Sequence, residues 1–191
     1  MLIKPKKSLG QNFLHDENII NKIINASKIS SDDQVLEVGP GTGNLTKLII
    51  SQKPKKIYVV EKDKSLAAEL EKQYYNKINV INKDILKIAN EFYSGKKFLI
   101  LGNLPYNIST KILSNWCLNN KLNVSKMILM FQKEVAERIL ANANSKEYSR
   151  ITILSKWKFD IRKITDVKPN SFFPKPKINS SILEFIPKTK I

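Results

Sequence analysis

Arginine is nearly absent from this chain: 30 of its 33 basic residues are lysine, beside one cysteine, one histidine and six glycines. Cys117 has no partner for an internal disulfide, which removes the disulfide-framework class. His15 has no cysteine or second histidine with which to share a metal ion, so no zinc or other metal site and no histidine-centred catalysis is expected. No run of eighteen apolar residues occurs, and the opening MLIKPKK lacks the apolar core and small-residue cleavage site of a secretory leader. The expectation is a soluble, cytoplasmic protein. No glycine-lysine-serine or glycine-lysine-threonine follows a strand-like run, which excludes a Walker-type phosphate site.

Acidic residues are scarce too, 17 against 33 basic, for a formal net charge of +16. A field of that sign attracts polyanions and gives a salt-dependent affinity for phosphate backbones. The excess of lysine, asparagine and isoleucine is also what an AT-rich genome imposes on any protein, so charge alone leaves RNA binding open. The 191 residues fit one domain, 1–191, with an arm and helix over 1–30 and an α/β core over 31–191.

The pattern of the chain is alternating. Asp16 can cap a helix carrying Ile19, Ile20, Ile23 and Ile24. Strand-like runs follow at Gln34 to Val38, Lys56 to Val60, Ile78 to Asn82, Lys97 to Leu101 and Lys126 to Phe131, with helix-like segments between them. Asn44 to Ser51 is the first of these helices. Lys133 to Leu140 is another, with Val135, Ile139 and Leu140 as its stripe and a Glu134–Arg138 pair across one turn. A further helix carries Ile151, Leu154 and Trp157, and late strands are expected over Ile161 to Val167 and Ser181 to Ile186. Pro169 to Lys177, with three prolines, reads as a stiff extended loop. Such alternation predicts a mostly parallel sheet with right-handed crossovers.

Chemistry gathers at the strand ends. Glu37-Val38-Gly39-Pro40-Gly41-Thr42-Gly43 lies where the first core strand turns into a helix, and glycines there let backbone approach a ligand closely. Glu61 ends the next strand, about 20 residues on, where a carboxylate can accept both ribose hydroxyls. Asp84 follows the third strand and can accept from an adenine amine. Both acids can also be read as solvated loop residues. The glycine spacing departs from the dinucleotide fingerprint, and Glu37 would repel a pyrophosphate, so S-adenosyl-L-methionine is the favoured cofactor. After the fourth strand comes Gly102-Asn103-Leu104-Pro105-Tyr106. A planar amine could lie on the Tyr106 ring while the Asn103 side-chain oxygen and a backbone carbonyl accept its hydrogens, although the same residues make an ordinary turn.

Taken in order, QNFL (11–14), EVGPGTG, VVEKD, GNLPYNIST, FQKEVAERI, NSKEYSR and FFPKPKINSS resemble the KsgA family of ribosomal RNA adenine dimethyltransferases over nearly the whole chain. The resemblance implies a Rossmann-like class I methyltransferase with a mostly parallel seven-stranded sheet and helices on both faces. It implies that Asn12, Leu14, Gly39, Glu61, Asp84 and Asn103 line the S-adenosyl-L-methionine pocket, with Gly41 and Ile85 as neighbours. Asn103, Pro105 and Tyr106 would be catalytic, the Pro105 carbonyl being the second acceptor of the amine. Leu104, Tyr106 and Phe172 would surround the base, Phe172 stacking opposite Tyr106 and Phe173 packing.

The implied substrate is a pair of adjacent adenosines near the 3′ end of small-subunit (16S) ribosomal RNA in a pre-ribosomal 30S particle, each methylated twice. A monomer is expected, because the sequence shows no long heptad pattern or exposed apolar stripe. Family members continue into a small helical domain, which this sequence, ending just past its last strand, is expected to lack. Two other readings stand beside this one. One is a large-subunit ribosomal RNA methyltransferase of the antibiotic-resistance type; the other is a non-enzymatic assembly factor that binds RNA.

Overall fold

The computed structural model describes residues 5, 6 and 9–189; residues 1–4, 7, 8, 190 and 191 lie outside it. Its central sheet has the strands β2 (Gln34–Val38), β3 (Lys56–Val60), β4 (Asn79–Ile81), β5 (Lys97–Asn103), β6 (Asn123–Gln132), β7 (Phe159–Val167) and β9 (Ser180–Pro187). They are ordered β4-β3-β2-β5-β6-β9-β7. The first five run parallel, and β9 enters antiparallel between β6 and β7. A separate ribbon pairs β1 (Phe13–Leu14) with β8 (Phe172–Phe173), antiparallel.

The two-residue period of the strands divides the core. Along β5, Phe98 and Ile100 pack on one face with α4 (Ser109–Leu118), α5 (Lys133–Leu140) and α6 (Arg150–Lys158), whereas Leu99 and Leu101 pack on the other. That second face takes α1 (Glu17–Ser27), α2 (Asn44–Ser51) and Leu70 of α3 (Lys64–Gln73). β2, β3, β5 and β6 carry near-continuous apolar runs because helices cover both faces. Asp16 caps α1 as expected, accepting from the N–H groups of Asn18 and Ile19.

Two lysines of α6 finish neighbouring helices. Lys156 Nζ donates to the Leu140 and Ala141 carbonyls at 2.9 and 2.7 Å, and Lys158 Nζ to those of Trp116, Cys117 and Asn119 at 3.3–3.4 Å. Both place positive charge at a helix C-terminus, where carbonyls are left over. Cys117 is a core side chain, and burial pushes its thiol up to about 12.

Several local expectations change. β6 starts earlier than the apolar run suggests, because Asn123 and Val124 pair with β5. The segment 169–177 is not simply extended: Pro169–Ser171 form a 3-10 turn before β8. On α6 only Ile151 of the expected stripe is buried, and Trp157 is exposed. On α5 the ion pair is Lys133–Glu137 rather than Glu134–Arg138.

Candidate cofactor and base site

Strand order reverses between β2 and β5, and in open α/β sheets the crevice at that point receives ligands. A cleft of about 130 Å³ opens there, at the carboxyl ends of both strands. Its floor is the glycine turn after β2. Gly39 has φ +70°, and a β-carbon on it would come within 2.9 Å of the Asn103 carbonyl oxygen. Gly41 has φ +58°, and a β-carbon there would lie 2.7 Å from Phe13 Cδ1. The turn is therefore pressed between the end of β5 and the N-terminal arm, and only glycine fits both.

The arm roofs this cleft from Leu9 to Leu14. Its inner end is fastened by Asn44 Nδ2, which donates to the Leu14 carbonyl at 2.8 Å, and by the ribbon with β8. Further out, Asn103 Nδ2 donates to the Asn12 carbonyl at 2.9 Å. Since the amide nitrogen is engaged, Asn103 Oδ1 remains to accept a hydrogen bond.

Three carboxylates line the cleft. Glu37 is 1% exposed, and burial, reinforced by neighbouring Glu61, raises its pKa to about 8 against the pull of the Thr46 hydroxyl. Burial also raises Glu61, although N–H groups of Asp63, Gly41 and Lys62 oppose the shift. At Asp84 burial is outweighed by the Leu86 N–H and the Lys62 ammonium, 3.0 Å from Oδ2, so its carboxyl is held low. Tyr106 is tied to Ser180 through its hydroxyl, and burial raises its pKa.

Ten of the residues singled out from sequence thus come to one cleft: Asn12, Leu14, Gly39, Gly41, Glu61 and Asp84 beside Asn103, Leu104, Pro105 and Tyr106. Two do not. Ile85 turns its side chain into the core and lines a different depression with Tyr93 and Trp116. Phe172 is 3% exposed and packs in the core with Leu14, Val167 and Ile182, while Phe173 is 62% exposed. Phe172 is thus the packed ring and Phe173 the exposed one, the reverse of the burial expected, because neighbouring residues of β8 face opposite ways.

Two further details differ. Leu104 is 1% exposed, so its side chain presents no surface to a base. The Pro105 carbonyl already accepts the Ile108 N–H at 3.1 Å, whereas no hydrogen bond among the described residues ends on the Leu104 carbonyl. Gln11, Phe13 and Lys62 line the cleft without having been singled out as site residues. Phe13 reads as a core anchor and Lys62 as one lysine among many, so neither carried a signal.

The residues fit S-adenosyl-L-methionine: a glycine floor, a carboxylate after β3 for a ribose and one after β4 for an adenine amine. Fold and site together define a class I S-adenosyl-L-methionine-dependent methyltransferase. Residues 3–191 match the model of the ribosomal RNA adenine dimethylase family, and the chain belongs to that family.

The ribosomal RNA small subunit methyltransferase A of Pelagibacter ubique (strain HTCC1062) is 52% identical over 190 residues, covering 98% of this chain and 72% of that protein. A crystal structure of a dimethyladenosine transferase from Plasmodium falciparum superposes with a TM-score of 0.83 at 38% identity, covering 92% of this chain and 63% of the other. The 23S rRNA methyltransferase ErmE superposes with a TM-score of 0.78 at 27% identity, covering 93% and 70%. The chain thus spans roughly two thirds of the length of such relatives.

Proposed function

We propose that this chain transfers methyl groups from S-adenosyl-L-methionine to the exocyclic amines of two adjacent adenosines near the 3′ end of small-subunit ribosomal RNA. It acts as a monomer on a 30S precursor in the cytoplasm, with residues 1–191 as the catalytic domain. The observation that carries this reading is the orientation of Asn103, whose Nδ2 is held by the Asn12 carbonyl so that Oδ1 is left as an acceptor. The small-subunit target rests on the likeness to small subunit methyltransferase A of Pelagibacter ubique, and the net charge of +16 suits a phosphate backbone.

Bound in the cleft, S-adenosyl-L-methionine supplies an electrophilic methyl group on a sulfonium. Glu61 would take the ribose and Asp84 the adenine amine of the cofactor, and Gly39, Gly41, Asn12 and Leu14 would enclose the rest of it. The lone pair of a substrate adenine amine is delocalised into the ring and makes a poor nucleophile. Asn103 Oδ1 and a main-chain carbonyl accept its two hydrogens, which favours a pyramidal nitrogen and holds it in line. We assign the second acceptance to the Leu104 carbonyl, on which no other hydrogen bond among the described residues ends. Tyr106 stacks on the base, and Phe173, exposed on β8, is the ring free to meet it.

The methylated amine is acidic enough to release its proton to water, so no strong general base is required. The base must be unstacked to reach the cleft, which favours loops and helix ends of RNA.

The test is transfer of labelled methyl from S-adenosyl-L-methionine to unmethylated small subunits, with large-subunit RNA and an Asn103→Ala protein alongside. Asn103-dependent label in adjacent small-subunit adenosines is expected. Label only in large-subunit RNA would favour the resistance-type activity, and RNA binding without any label an assembly role.

A further inference from the structure

The Asn12 carbonyl decides which atom of the Asn103 amide faces the cleft, so whatever holds Asn12 acts on the amide. Gln11, its neighbour, is clamped at both ends: Nε2 donates to Asp63 Oδ2 at 3.0 Å, and Oε1 accepts the Lys6 N–H at 2.7 Å. Asp63 is 4% exposed and also takes the Lys6 ammonium and the Ser65 N–H that begins α3. Its own N–H donates to Glu61 Oε1 at 2.8 Å. Two chains of contacts therefore leave Gln11, one through Asp63 to the carboxylate after β3, the other through Asn12 to Asn103.

We propose that Gln11 and Asp63 are positioning residues for methyl transfer: their bond fixes the arm so that the Asn12 carbonyl presents Asn103 Oδ1 to the substrate amine while the arm covers the cofactor. The proposal deepens the reading above and rests on Asn103 as the acceptor. The Lys6 ammonium is half exposed, so its ion pair alone contributes little. The Gln11–Asp63 bond is shielded and charge-assisted, which makes it the stronger hold. Because Phe13 and Leu14 are fastened separately by β8 and Asn44, loss of Gln11 frees the outer arm without unfolding the core.

Gln11→Ala and Gln11→Glu proteins test this. For Gln11→Ala, amide exchange over residues 9–12 and dissociation of S-adenosyl-L-methionine are each expected to quicken by about tenfold. At saturating substrates kcat falls by about tenfold, equal to about 1.4 kcal/mol, with KM for RNA and the thermal midpoint unchanged. In Gln11→Glu an ionised carboxylate meets Asp63, with Lys6, Lys62 and Glu61 the other charges nearby. That variant is more impaired at neutral pH and recovers as the pH falls, since a protonated carboxyl is isosteric with the amide and donates to Asp63.

Wild-type kcat and cofactor retention in both variants would overturn the proposal. So would a loss of kcat without faster exchange in the arm. An Asn103→Ala protein that still transfers methyl would instead overturn the reaction chemistry, a result separable from the arm measurements.

Discussion

The Thr46 hydroxyl donates to Glu37 Oε2 at 2.6 Å, joining the first turn of α2 to the last buried carboxyl of β2. It is the one side-chain hydrogen bond that Glu37 makes among the described residues, and the carboxyl is otherwise enclosed. Its pKa of about 8 therefore stands well above the ordinary carboxyl range.

The folded state binds a proton at Glu37 that the unfolded chain has released, so stability from this group is full below the unfolded pKa and is lost as the pH rises through about 8. The cofactor-free protein is expected to melt at progressively lower temperature between about pH 5 and 8 on this account. Glu37→Gln removes that slope. Thermal denaturation of both proteins across the range checks it, and parallel slopes would show that Glu37 does not control it.

Gly41→Ala brings a β-carbon to 2.7 Å from the Phe13 ring at φ +58°. Both the strain and the clash bear on the arm rather than on the core. The folded protein is expected to lose about 1–3 kcal/mol, with a larger effect on cofactor affinity than on RNA affinity. Isothermal titration with S-adenosyl-L-methionine and with RNA separates the two.

Phe172 and Phe173 should behave oppositely. Phe172→Ala empties a core position and is expected to cost about 3–5 kcal/mol in denaturant unfolding. Phe173→Ala, at an exposed ring, should leave stability within about 0.5 kcal/mol and weaken the RNA substrate instead. If Phe173→Ala changes neither KM nor kcat, the ring that meets Tyr106 across the base lies elsewhere.

Lys158→Met keeps the aliphatic stem and removes the ammonium that serves the carbonyls of Trp116, Cys117 and Asn119. A loss of about 1–3 kcal/mol is expected, with kcat unchanged at temperatures where the variant is folded. Chemical denaturation and single-turnover methyl transfer provide the two readings.

Much of this architecture is legible in the chain itself. The alternation of apolar runs and amphipathic segments determines the strands and most helices, since a buried parallel strand must be apolar on both faces and the helices covering it on one. Gly39, Gly41, Glu61, Asp84 and Asn103 could be singled out because each follows such a strand, and the ends of parallel strands share one edge of the sheet. The ribbon of β1 with β8 escaped this reading, because two residues are too few to establish a period.

Tertiary structure alone decided the rest. Whether Phe172 or Phe173 faces outward depends on how β8 pairs with β1, residues more than a hundred positions away. The same holds for the path from Gln11 through Asp63, and for the orientation of Asn103 by a carbonyl 91 residues earlier in the chain. Strand period and turn chemistry are local and can be read from neighbours in sequence. A hydrogen bond across the sheet edge exists only once the arm has docked, because its partners share no local pattern.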